Sequence, residues 1–182
     1  MNDALTSLDG TIEDVWTLLE DGVKYKTSPA NNLILATASK QQGPSLRIVV
    51  LRHADRSSQS LNVFTHAASQ KVVDLNEDER AEILIWDPAQ QLQIRLSVFV
   101  RMSGIDDETW KKLGPGTRLN YAIAPAPGTP IPQPEVARQA SPKQHQMLVL
   151  DARIRKIETL HISHDGLKRA VFENGTSQWI AP

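Results

Sequence analysis

The chain has 182 residues, the size of one ordinary domain, and 40% of them are apolar, enough for a sizeable core. Its 20 Lys+Arg against 21 Asp+Glu leave a formal net charge of −1. That balance lacks the basic excess on which duplex nucleic-acid binding and attachment to an anionic membrane draw. With no cysteine, disulfides, thiolate nucleophiles, Cys-ligated zinc and iron–sulfur clusters are excluded.

The first residues carry acids at Asp3, Asp9, Glu13 and Asp14 and no apolar run. No stretch approaches the ~20 consecutive apolar residues of a spanning helix. The expectation is a soluble, cytoplasmic single domain over residues 1–182. Ile12, Val15, Trp16, Leu19 and Val23 fall on one face at helical spacing and predict a helix over 11–23, with Thr11 and Asp14 resembling a capping box. From Asn32 the texture changes to short β-branched runs at 33–39, 46–53, 61–66 and 81–86 and a longer one at 91–103, each bounded by turn chemistry. A short helix is expected within 68–78, with Ser69 near its start. A helical patch covers 107–121, broken at Gly114-Pro115-Gly116. Six of the 11 prolines then fall between Pro125 and Pro142. Such a stretch cannot join a central ladder and is expected as an arm or loop. Strand texture returns at 147–162, 167–173 and 176–181, and Asn174-Gly175 is a strong type I′ hairpin signal. Many short strands with little room for crossover helices predict a mainly antiparallel β-barrel.

Self-sufficient catalytic signatures are missing: there is no G-x-G-x-x-G, Walker loop or G-x-S-x-G. His161-x-x-His164 lies in strand-like sequence, where three-residue spacing points the rings to opposite faces, so no metal site is expected. What stands out is polarity inside apolar strands. Arg47 and Arg52 bracket Ile48-Val49-Val50-Leu51, Phe64-Thr65 closes the next strand, Ser69-Gln70-Lys71 opens a short helix, and Gln93 and Arg95 sit in a later strand. Guanidinium, ammonium, hydroxyl and a helix start together suit a phosphate monoester. Spacing alone leaves a plainer assignment open: solvated strand-edge charges, turn residues, and a lysine on a helix's wet face. Arg47 and Arg52, five apart, also face opposite sides unless a bulge intervenes.

The run L-A-T-A (35–38), G-P-S-L-R-I-V-V-L-R (43–52), F-T-H-A-A-S-Q-K (64–71), Trp86 and L-Q-I-R-L (92–96) resembles the pyridoxamine 5′-phosphate oxidase-related FMN-binding split-barrel family. The resemblance covers about Asn31 to Gly104. It implies a split barrel with flanking short helices, FMN as cofactor, a small-molecule substrate, and a homodimer with the flavin at its interface. Carried over by position, Arg47 and Lys71 bind the FMN phosphate with Thr65 and Ser69. Val49 and Val50 offer backbone groups to the ring edge. Arg52 takes the place of a family lysine near the reactive face, and Phe64 is a further cofactor-binding candidate. Gln70 replaces a family arginine, either Gln93 or Arg95 matches the family's strand glutamine, and Arg169 matches an arginine that reaches the partner's flavin. Arg118 is the candidate for the substrate space. The family's substrate-gripping residues are not reproduced around Gly116 or at Asp165-Gly166-Leu167, so FMN binding is better implied than vitamin B6 oxidation. An FMN oxidase or reductase of unidentified substrate is the first reading. A non-catalytic flavin- or haem-binding carrier or sensor is the alternative.

Overall fold

Ser7 starts the first helix, α1 (Leu8–Lys24), by accepting a hydrogen bond from the Gly10 N–H at 3.0 Å. The helix therefore begins a turn earlier than the apolar spacing predicts. Thr11, read as the cap from sequence, instead donates its hydroxyl to the Ser7 carbonyl at 2.8 Å. The computed structural model describes residues 3–139 and 146–182.

Ten strands follow the expected runs closely: β1 (Asn32–Ser39), β2 (Gly43–Asp55), β3 (Ser60–His66), β4 (Arg80–Asp87), β5 (Leu92–Gly104), two-residue β6 (Ile123–Ala124) and β7 (Arg138–Gln139), β8 (Met147–Ser163), β9 (Gly166–Glu173) and β10 (Thr176–Ile180). Helix α2 (Gln70–Glu77) separates β3 from β4, and α3 (Asp107–Lys112) and α4 (Pro115–Leu119) follow β5. The main sheet runs β10-β9-β8-β3-β2-β1-β4-β5, and β8 also pairs with β5, which closes β8-β3-β2-β1-β4-β5 into an antiparallel barrel. Strand β8 is the seam. Its first half, Met147–Arg153, pairs with β3, whereas its second half, Lys156–Ser163, pairs with β9. The β9–β10 hairpin turns at Asn174 (φ 52°) and Gly175 (φ 74°), the two positive φ values that a type I′ turn requires.

Alternation decides which side chains fill the barrel. Leu33, Leu35, Leu51, Ile83, Ile85 and Ile94 are all at most 2% exposed, and Val15, Trp16 and Leu19 of α1 join the same core. Each such burial stabilises by roughly 1.5–3 kcal/mol. At Gly22 the helix passes so close to Ala30 that a Cβ would meet its carbonyl carbon at 2.7 Å. The opposite face of β2, β1 and β4 is also apolar, yet Ile48 is 69% and Trp86 44% exposed, so the barrel wall is greasy on both sides there.

The arm after β5 is different in kind. Asp106 caps α3 through the Thr109 N–H at 2.7 Å, the break falls at Gly114 as expected, and Trp110 and Ala122 are its buried anchors. Within the Pro-rich stretch, β7 pairs with β6 in a small ladder apart from the barrel. Residues 140–145, including Pro142, lie outside the described residues. Among the described residues, no helix is long and apolar enough to cross a membrane.

Candidate functional site

At the end of the barrel where β1 stops and β2 begins, here called its mouth, α2 packs against β1. Ser45 and Arg47 alternate inward on β2, opposite Thr37 and Leu35 of β1. The Arg47 guanidinium is fixed by four donations: Nη1 to the Thr37 hydroxyl at 2.6 Å, to the Ser45 carbonyl at 3.0 Å and to the Leu35 carbonyl at 3.4 Å, and Nη2 to the Ser45 hydroxyl at 2.9 Å. Thr37 in turn donates to Asp74 of α2 at 2.6 Å, and Asp74 stands 3.7 Å from Arg47 Nη2. Asp74 is 1% exposed, and its second oxygen accepts from the Gln70 amide at 3.0 Å. Gln70, which stands where the family has an arginine, turns to Asp74, four residues along its own helix.

Lys71 shares this mouth. Its ammonium donates to Thr65 Oγ1 at 3.2 Å and to Ser69 Oγ at 3.3 Å, and the two hydroxyls lie 3.1 Å apart. Ser69 occupies the N-cap of α2, but its side chain makes no capping bond, so its hydroxyl belongs to this cluster rather than to the helix. Burial, then the Arg47 charge, holds the Lys71 pKa below the ordinary lysine value, against the pull of Asp74. His66, beside them, accepts the Ala68 N–H on Nδ1 at 3.1 Å, while its Nε2 is buried with no hydrogen-bond partner. Burial and the nearby Lys71 lower its pKa, which keeps the ring neutral.

A break in the ladder adjoins these groups. Among the described residues, β2 pairs with β3 only over Leu51–Asp55, with a register shift at Arg52. Val49 and Val50 pair with β1 on one side, but on the other side β3 has parted from them while still paired with β8 through His66. The split therefore exposes a backbone edge of β2 next to Arg47. Val49 is buried and Val50 half-buried along it.

Arg52, Phe64, Gln93, Arg95 and Arg169 alternate to the outer face of their strands. Arg52 is the bulged residue, and the bulge does not bring it to Arg47. Its guanidinium stands 5.7 Å from the centroid of the Phe64 ring, and Tyr121 of the arm hydrogen-bonds to it. Gln93 and Arg95, two apart on β5, share one face, so strand parity does not choose between them; register puts Gln93 opposite Leu160 and Arg95 opposite Glu158. Arg95 Nη1 donates to Glu158 at 3.1 Å, and Arg169 donates to the same oxygen through Nε at 3.1 Å and Nη2 at 2.5 Å. Arg118 sits half-buried in the last turn of α4. No group of three or more metal-ligating side chains exists among the described residues.

Sequence reasoning missed Thr37, Ser45, Asp74, Tyr121 and Glu158. Asp74 carries a readable signal, since it lies four residues after Gln70 on a short helix. Glu158 carries none until the β5–β8 register is known.

Residues 13–104 match the model of the pyridoxamine 5′-phosphate oxidase FMN-binding domain. The chain belongs to that family. Its cofactor is FMN. The pyridoxine/pyridoxamine 5′-phosphate oxidase of Polynucleobacter asymbioticus is 32% identical over 123 residues, 66% of this chain and 57% of that protein. The enzyme of the same description from Acinetobacter baylyi is 38% identical over 66 residues, 36% of this chain and 29% of that protein. The chain thus spans little more than half of the first of these relatives. Two solved structures share the fold. One is a pyridoxamine 5′-phosphate oxidase-related, FMN-binding protein from Nostoc punctiforme, with a TM-score of 0.76 at 20% identity over 93% of this chain and 96% of that one. The other is PhzG from Burkholderia lata in complex with tetrahydrophenazine-1-carboxylic acid, with a TM-score of 0.74 at 19% identity over 94% of this chain and 91% of that one.

The donor set at the mouth fits the phosphate of FMN. Two cations, Arg47 and Lys71, face one carboxylate, and the lysine is strained by burial and by its cationic neighbour. A phosphate monoester carrying nearly two negative charges would offset that excess and has acceptor oxygens for both hydroxyls as well.

Proposed function

We propose that this protein is an FMN-dependent oxidoreductase of a small molecule, with the FMN phosphate held by Arg47, Lys71, Thr65 and Ser69 at the barrel mouth. The observation that carries this is the unbalanced, half-buried pair of cations beside an unpaired edge of β2. Arg47 is held on three sides before any ligand arrives, so binding costs little side-chain entropy. Lys71 and the two hydroxyls supply donors that follow the tetrahedral oxygens. The backbone of Val49 and Val50 would hold the edge of the flavin ring, Arg52 and Phe64 would serve its reactive side, and Gln93 or Arg95 would add a further contact.

FMN, when bound, supplies the acceptance and return of a hydride, so the chain needs no nucleophile or catalytic triad of its own. Its residues instead position the substrate and exclude water. Arg118 and Tyr121 bring the arm to the substrate side. Tyr121 is held against Arg52, and its pKa is raised above the usual phenol value mainly by burial, so the phenol stays protonated and can donate. The apolar outer face of β2, β1 and β4 supports a homodimer, with the flavin between copies and Arg169 serving the flavin of the other copy.

The purified protein is expected to be yellow and to release FMN on denaturation. Pyridoxamine 5′-phosphate should be oxidised slowly if at all, below about 1 per second, because Gly116, Asp165 and Leu167 stand where a cationic grip is needed. Peroxide release from that substrate at ordinary enzymic rates overturns this view of the substrate side. A flavin that chemical reductants bleach but that no small-molecule substrate turns over favours a carrier.

A further inference from the structure

Outside the phosphate cradle the molecule holds a second ionic cluster, on the outer face where β5, β8 and β9 meet. Its centre is Glu158, 8% exposed although its neighbours on that face are partly open. One oxygen of Glu158 takes both arginines, Arg95 from β5 and Arg169 from β9, while Lys156 approaches the other at 3.8 Å. Arg95 commits one of its five N–H donors to this carboxylate and Arg169 two, and their side chains remain 42% and 31% exposed. The carboxylate thus holds two guanidinium groups in place and leaves most of their donors uncommitted to it. Three cations against one anion give the cluster a net charge of +2.

We propose that Glu158 is a positioning residue for the cofactor: it orients Arg95 and Arg169 and sets, by its single negative charge, the positive potential that this shared cluster presents to the flavin at the interface between copies. This rests on the cofactor site proposed above. A positive field favours the more anionic, reduced flavin over the oxidised one. By partly neutralising its three cations, Glu158 holds the flavin midpoint potential lower than bare arginines would.

The test is the two-electron midpoint potential of bound FMN, measured by equilibrium dye titration in the full-length protein. Glu158→Gln should favour reduced over oxidised FMN by about tenfold, a rise of about 30 mV, and Glu158→Asp should stay near the parent value. Arg95→Gln and Arg169→Gln each remove a cation and should lower the potential. They keep the test decisive even if Glu158→Gln does not fold. A potential unchanged in both arginine variants, or a rise absent in a folded, FMN-loaded Glu158→Gln protein, overturns the proposal. The cradle reading fails separately, through FMN binding to Arg47→Ala: if that variant loses FMN while the potentials do not move, the cradle stands and the role of Glu158 falls.

Discussion

The barrel mouth and the β5–β8–β9 face each pair an excess of cations with one buried carboxylate, but they use it differently. At the mouth, Asp74 reaches Arg47 mainly through the Thr37 hydroxyl and stays 3.7 Å from the guanidinium. On the outer face, Glu158 takes two arginines directly, at 3.1 and 2.5 Å. A carboxylate acting through a hydroxyl fixes an arginine without satisfying its charge, so the mouth keeps an unmet demand for an anion. A carboxylate in direct contact neutralises as it orients, so the outer face keeps a field but a weaker one. The first arrangement suits binding a phosphate, and the second suits adjusting the electrostatics of a ring.

The most severe way to break this contrast is Arg47→Ala. It should weaken FMN by about 2 kcal/mol or more, roughly 30-fold, because phosphate oxygens lose a charge-assisted partner. Riboflavin, which lacks the phosphate, should bind the variant and the parent equally; parallel isothermal titrations check both. An FMN affinity that survives the change removes Arg47 from the cradle.

Asp74→Ala should cost about 2 kcal/mol of folding stability in chemical denaturation, since it strands the Thr37 hydroxyl and the Gln70 amide beneath α2. Thr37→Val is milder, about 1 kcal/mol, and should loosen FMN as well because Arg47 loses its 2.6 Å acceptor. Equal FMN affinity in Thr37→Val and the parent would mean that the relay does not position Arg47.

Acid and base separate the regions further. Asp74 and Glu158 both have pKa values held below the ordinary carboxylate values, by hydrogen bonds from Thr37 and Gln70 in one case and by Arg169 and Arg95 in the other, against burial. Each therefore adds stability that is complete above the unfolded-state pKa and is lost as pH falls through the depressed folded value. The base side belongs to the mouth alone. Burial and Arg47 depress the Lys71 pKa, and a bound phosphate dianion would raise it again. FMN affinity should be fully present below the depressed value and decline as pH rises through it, sooner than for an ordinary lysine. Lys71→Met should abolish that decline, as fluorescence titrations over an alkaline pH series would reveal.

The smallest effect concerns the arm, whose described portion has Trp110 and Ala122 as buried anchors. FMN should slow limited proteolysis between Ala126 and Arg138 if the arm closes over the site; equal cleavage rates with and without FMN would detach it from function.

Much of this was legible in the residues. Alternation and turn chemistry gave nearly every strand within a few residues, because a half-buried strand in water must alternate and a two-residue turn with positive φ must be Asn-Gly or its like. The donor types of Arg47, Thr65, Ser69 and Lys71 suited a phosphate but left a plainer assignment open, and only the resemblance of the whole 35–96 run to a known family carried FMN. Which groups share a site was decided only by tertiary structure. Strand parity was read correctly, but the parting of β2 from β3 beyond Leu51 depends on β8 taking the far edge of β3. Gln70 turned to Asp74 because a buried carboxylate requires donors. Arg95 and Arg169, 74 positions apart in the sequence, met at Glu158 because β8 lies between β5 and β9. Local sequence specifies period and donor type, whereas long-range register specifies which donors meet.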